Sequence, residues 1–139
     1  MTSQMKLPAV LIGLVLAGCG GSGIKTHPVV GKIETQSGDI TPLAGHTVEV
    51  ALDTSPEVRA SGEIRDDGSF VLETLQGGKV LRGAVPGTYK ARIVLSDDDA
   101  SKRMLAAKTV PPRYLQFEKS GLSVHVPAGE NVTFKILRR

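Results

Sequence analysis

The amino-acid sequence predicts an all-β fold: a seven-stranded antiparallel sandwich of two sheets, preceded by a cleaved N-terminal segment and leaving room for one short helix within residues 96–113. Three observations predict it. From His27 onward apolar residues recur at every second position, the period that sends one face of a strand to a core and the other to water. Sixteen glycines and eight prolines supply frequent turns. No apolar stripe of helical period runs beyond about three turns. The length of 139 residues suits one domain, and 40% hydrophobic with 22% charged residues argues against disorder along the whole chain.

The first element is a targeting segment. Met1 to Lys6 is polar with one positive charge, and Leu7 to Ala17 is an apolar span broken only by Pro8 and Gly13. That span is shorter than the roughly 20 apolar residues a membrane helix needs, and it has the layout of a secretory signal peptide. Its end, Leu16-Ala17-Gly18, leads directly into Cys19, the only cysteine, which excludes an internal disulfide. These four residues resemble a bacterial lipobox. The resemblance implies diacylglyceryl transfer to the Cys19 thiol, cleavage after Gly18 and, as in other lipoproteins, a further acyl chain on the new amino terminus. Two or three acyl chains hold a protein at a membrane where one is marginal. The expected organisation is therefore a signal peptide over residues 1–18, a lipidated Cys19 with a Gly/Ser tether over 19–26, and a β-sandwich domain over 27–139. The protein should face the periplasm or the cell exterior, anchored to a membrane without spanning it. Gly20, where an Asp would retain many proteobacterial lipoproteins at the inner membrane, weakly favours the outer membrane or surface.

The strands follow in order. Val29, Gly31 and Ile33 share a face in the first, and Val48, Val50 and Leu52 in the second. Val58, Ala60, Gly62 and Ile64 alternate with Arg59, Ser61, Glu63 and Arg65 in the third. Asp66-Asp67-Gly68 then predicts a hairpin turn into a fourth strand, Ser69 to Thr74, because glycine accepts the positive φ such turns require. Pro86-Gly87 fits the centre of a type II turn, after which Tyr89, Ala91, Ile93 and Leu95 share a face, with the Tyr89 ring filling the sandwich end and its hydroxyl bonding backbone. Leu122 to Val126 and Val132 to Leu137 complete the seven, separated by a turn at Pro127 to Glu130.

Residues 96–119 break the alternation. Ser96 is expected to cap a short helix with Asp97, Asp98 and Asp99 in its first turn, and Pro111-Pro112 to end it. The remainder, through Tyr114 to Gly121, reads as a long connection crossing between the sheets.

Several of these segments together resemble a known family. Val30-Gly31-Lys32-Ile33, Pro42-Leu43-Ala44-Gly45, Asp67-Gly68-Ser69-Phe70 and Val85-Pro86-Gly87-Thr88-Tyr89-Lys90 look like the carboxypeptidase regulatory-like (transthyretin-like) domain. Pro111-Pro112-Arg113-Tyr114, Ser120-Gly121-Leu122 and Pro127-Ala128-Gly129-Glu130-Asn131 look like the small lipoproteins of this type in planctomycete bacteria. The resemblance covers about residues 27–137 and implies a prealbumin-like, immunoglobulin-like sandwich. Its motifs are structural turns and bring no chemistry with them.

Catalytic readings find little support. His27, His46 and His125 are far apart with no His-x-His pair, and the Asp97–Asp99 run lacks the spaced ligands of a calcium loop, so neither metal nor cofactor is expected. Ser61 and Ser69 lack a Gly-x-Ser-x-Gly elbow. Hydroxyisourate hydrolase, a transthyretin relative, ends in Tyr-Arg-Gly-Ser where this chain ends Ile136-Leu137-Arg138-Arg139, and the close-set histidines of intradiol dioxygenases are missing. Asn131-Val132-Thr133 matches a glycosylation sequon, read as coincidence. A net charge of +3 spread along the chain, with few aromatics, argues against a nucleic-acid partner. The expectation is a non-enzymatic, lipid-anchored envelope module with a structural or protein-interaction role, offering a sheet face, an edge strand or the 96–121 connection to an unknown envelope protein, with polysaccharide binding as the alternative and hydrolysis a distant third. Tyr114 and Phe117 are the candidate interaction residues: an exposed pair would favour polysaccharide, and a buried pair would favour protein contact.

Overall fold

The computed structural model describes residues 23–138. Among these described residues nine strands are present: β1 (Val30–Thr35), β2 (Thr47–Leu52), β3 (Ser55–Glu63), β4 (Ser69–Val71), β5 (Glu73–Gln76), β6 (Lys79–Arg82), β7 (Gly87–Val94), β8 (Ser123–Val126) and β9 (Val132–Ile136). Two helices, α1 (Ala100–Thr109) and α2 (Phe117–Ser120), lie between β7 and β8. The strands form a three-stranded sheet in the order β4-β1-β9 and a six-stranded sheet in the order β6-β5-β3-β2-β7-β8. The all-β sandwich expected from the alternation is the fold observed.

Its core draws on both sheets. Ile33, Phe70 and Phe134 come from the small sheet, and Val48, Val50, Ala60, Ala91, Ile93 and Val124 from the large one, all buried in one cluster. The alternation behaves as the pleat requires, with Val48 and Val50 fully buried while Thr47 and Glu49 beside them are partly exposed. In the small sheet Phe70 and Phe134 stack with centroids 5.7 Å apart. They sit on β4 and β9, on either side of β1, and Gly31 of β1 makes the arrangement possible: a Cβ there would overlap Phe70 Cζ.

The structure departs from the expectations in several places. The fourth expected strand is two: after the Asp66–Gly68 turn, which Gly68 N closes by donating to Arg65 O, β4 pairs with β1 in the small sheet, and the chain then switches sheets at Leu72 so that β5 joins β3. β6, exposed on nearly its whole length, adds a strand that shows no apolar alternation. The first and last strands, β1 and β9, run parallel, in a fold otherwise paired antiparallel. Helix α1 is capped by Asp99, whose carboxylate accepts from Ser101 N and Lys102 N, so the three aspartates precede the helix instead of forming its first turn. Lastly, the 96–121 connection does not cross between sheets, because it returns to pair β8 with β7. The crossing is made instead by the turn after β8.

Pro86-Gly87 also differs in detail. Gly87 has φ +147°, well beyond the second central position of a type II turn. Tyr89 follows as expected: it is 1% exposed, and its hydroxyl donates to Val85 O at 2.8 Å.

Candidate functional site

Cys19 and the Leu16, Ala17 and Gly18 that precede it lie outside the described residues. The described chain approaches the fold at Thr26, whose Oγ1 donates to Arg82 O at 2.8 Å, and at His27, which exchanges backbone hydrogen bonds with Ala84.

The most developed polar surface is the outer face of the six-stranded sheet. Register sets its members: Glu49 of β2 stands between Ser61 of β3 and Arg92 of β7, with Arg59 two residues from Ser61 on the same face. One carboxylate oxygen, Glu49 Oε1, accepts from Arg59 Nη1 at 2.8 Å and from Arg92 Nη2 at 3.2 Å. Phe117 of α2 reaches over this face, and both guanidiniums lie against its ring, Arg92 at 4.4 Å and Arg59 at 5.3 Å from the centroid. The three-way arrangement fixes side chains that would otherwise be mobile, and it is stronger than either exposed ion pair alone. Beside it Lys90 Nζ donates to Glu118 Oε2 at 3.1 Å, and that carboxylate holds the ammonium above its ordinary value of 10.5.

Next to this cluster the sheet opens. The ladder between β3 and β5 is a single pair, Ser61 with Glu73, so the earlier part of β3 and the β5–β6 hairpin splay apart. The cleft between them has a volume of about 620 Å³, with Glu57, Val58 and Arg59 on one wall and Leu75, Gln76 and Val80 on the other. Glu49 and Glu73 also border it. Its carboxylates outnumber its one guanidinium, which Glu49 already engages. It is flanked by two strands, and Glu57 and Glu73 give it an acidic border.

The two candidate interaction residues part company. Tyr114 is 4% exposed: its hydroxyl accepts from Leu137 N at 3.0 Å and from Arg113 Nη2 at 2.9 Å, which locks it into the end of the sandwich. A ring so enclosed presents no stacking face. Phe117 is half-buried beneath the two arginines. The sequence gives no cue to their partnership, since Arg59, Arg92 and Phe117 are widely separated along the chain. Only the β2-centred register brings Arg59 and Arg92 to the same carboxylate.

The remaining polar groups are dispersed. His27 bridges to Ala84, His125 Nδ1 lies 3.1 Å from Thr88 Oγ1, and His46 is 2% exposed. His46 Nδ1 accepts from Ser96 N at 3.0 Å, and its buried Nε2 has no hydrogen-bond partner among the described residues. Among the described residues no group of three or more His, Cys, Asp or Glu is placed to hold a metal ion. Ser69 Oγ donates to the Asp67 carboxylate within its own turn, and Ser61 lies mid-strand. Among the described residues no helix is long and apolar enough to cross a membrane.

No family model, no curated protein and no solved structure matches the chain.

Proposed function

We propose that this chain is a lipid-anchored, non-enzymatic module of the cell envelope that binds another protein through its six-stranded sheet. The observation that carries the reading is the cleft between β3 and β5, where two diverging strands leave room for a third. Strand addition draws affinity from main-chain hydrogen bonds and specificity from alternate side-chain positions. The carboxylates of Glu57 and Glu73 suit a partner segment that is basic. The neighbouring Arg59–Glu49–Arg92 cluster, held against Phe117, supplies a wall that need not be ordered on binding.

Polysaccharide binding is the weaker reading, because Tyr114 is buried and the Phe117 ring lies beneath two guanidiniums. Kinship with the carboxypeptidase regulatory-like domain is supported by the shared turn motifs and by the sandwich itself. Anchoring through Cys19, with the domain facing the periplasm or exterior, is supported by the apolar span, the small residues at 17 and 18, and the Gly/Ser run that follows.

Photo-crosslinking from position 58, at the cleft wall, in native envelopes tests the binding reading. A single stoichiometric protein adduct is expected, and adducts to polysaccharide alone would refute it. Cys19→Ala tests the anchor: an unprocessed precursor is expected, and normal processing would overturn the assignment.

A further inference from the structure

Leu75 and Val80, at 73% and 63%, are the most exposed large apolar side chains among the described residues. They pair directly across the β5–β6 hairpin, and Leu75 stands two residues from Glu73, so all three share the outer face of the sheet. Two carboxylates border this apolar pair in the cleft, Glu73 on the hairpin itself and Glu57 on the opposite wall. Among the described residues neither carboxylate makes a hydrogen bond or ion pair, although Arg82 stands opposite Glu73 across the hairpin. Apolar surface beside free carboxylates fits one kind of side chain. The long aliphatic stem of a lysine or arginine covers the first while its charged head meets the second.

The backbone shows where such a side chain enters. Along an antiparallel strand, alternate residues aim their main-chain groups at opposite neighbours. Ile64 N donates to His46 O and Ile64 O accepts from Gly45 N, so Ile64 faces the β2 side. Counting back by twos, Gly62 and Ala60 also face β2, while Ser61 and Arg59 face β5. On the other wall Gly83 N donates to Leu72 O, so Leu72, Thr74 and Gln76 face β6, and Glu73 and Leu75 face β3. Ser61 and Glu73 pair; in the same register Arg59 stands opposite Leu75, and there the ladder has already ended. The N–H and C=O groups of Arg59 and Leu75 are thus aimed into the cleft without a strand partner.

We propose that the cleft takes an extended segment of a partner protein with a lysine or arginine at the position between Arg59 and Leu75. The main chain of the segment bonds to the free groups of those two residues. The stem of its basic side chain lies over Leu75 and Val80, and the charged head reaches the carboxylates of Glu57 and Glu73. The Arg59 guanidinium is already engaged by Glu49 and leaves both carboxylates to the newcomer. The proposal rests on the strand-addition reading above and specifies what that reading leaves open, the residue that the cleft selects.

The test uses the full chain in detergent micelles, with capped heptapeptides of serine and threonine that carry lysine, norleucine or glutamate at the centre. The lysine peptide is expected to slow amide hydrogen exchange at Arg59 and Leu75 and to bind about tenfold more tightly than the norleucine peptide, the worth of one charged hydrogen bond. Glu57→Gln with Glu73→Gln should erase that preference and leave the exchange map of the unliganded protein unchanged, since neither carboxylate has a partner to lose. Leu75→Ser with Val80→Ser should weaken the lysine and norleucine peptides alike. Equal protection by all three peptides would overturn the proposal and leave strand addition standing. Lysine amide alone matching the lysine peptide, or protection that rises with protein concentration in the absence of peptide, would assign the cleft to a small cation or to a second copy and overturn it as well. Absence of protection by every peptide also overturns it, and crosslinking from position 58 then decides whether the wider reading survives.

Discussion

Tyr89 Oη donates to Val85 O at 2.8 Å, tying the third residue of β7 back to the residue before Pro86-Gly87. The ring is buried among residues of the core, so this one bond fixes where β7 starts. Tyr89→Phe keeps the ring and removes the donor. It should cost about 1 kcal/mol in denaturant unfolding. Burial also raises the phenol above its ordinary value of 10.0. A raised native value means stabilisation complete below the ordinary value and lost as pH rises through the native one, so the alkaline limb of the stability profile should be flatter for Tyr89→Phe than for the wild type.

Gly31 lies where Phe70 must pass. Gly31→Ala places a methyl against the Phe70 ring and should destabilise by about 1 to 3 kcal/mol. Phe70→Leu would relieve the overlap while losing the stack on Phe134. The double variant should therefore be more stable than the sum of the two single losses predicts, a coupling read directly from a double-mutant cycle.

Asp99, two residues beyond Asp97, is the aspartate that matters to α1. Asp99→Ala removes an acceptor for two amides and should destabilise the helix by about 1 kcal/mol. Asp97→Ala breaks only an exposed pair with Arg103 and should change stability little. Hydrogen exchange of the α1 amides separates the two: rapid exchange is expected in the first variant and near wild-type exchange in the second.

Asp67 accepts from Ser69 Oγ at 2.6 Å and from Ser69 N at 2.9 Å. The side-chain bond foremost, then the backbone bond, holds its carboxyl below the ordinary value of 3.8. With a depressed native value the stabilisation is present above the ordinary value and lost as pH falls through the native one. Ser69→Ala should return the Asp67 titration toward the ordinary range, as followed by carboxyl chemical shifts, and flatten the acid limb of stability.

What the sequence disclosed follows from where burial is one-sided. β2 and β7 each have one face on the core, so Val48, Val50, Ala91 and Ile93 betray them by alternation. β6 has almost no buried face, and nothing in Lys79-Val80-Leu81-Arg82 separates it from a loop. Strand direction is invisible to alternation altogether, so the parallel pairing of β1 and β9 emerges only from the closed fold. Ser96 and Asp99 are both good capping types, and the choice between them lies in geometry: Asp99 reaches the Ser101 and Lys102 amides, while Ser96 bonds Asp98 and His46. Tyr114 sits in an irregular connection that suggests exposure, yet its hydroxyl meets the backbone of Leu137 far along the chain. The candidate site was least legible of all, because the cleft arises from the shortness of a strand ladder, a property of two segments and not of either one.

The pairing of Gly31–Thr35 with Val132–Ile136 has a kinetic consequence. A polypeptide that emerges amino end first presents β1 almost at once, but the neighbour that completes its second flank is synthesised about a hundred residues later. Through that interval one side of the small sheet stands vacant, and Phe70 waits for the ring that will lie against it. Closure of the small sheet therefore waits on the synthesis of β9, and until then the open flank of β1 is the gap a chaperone would have to shield.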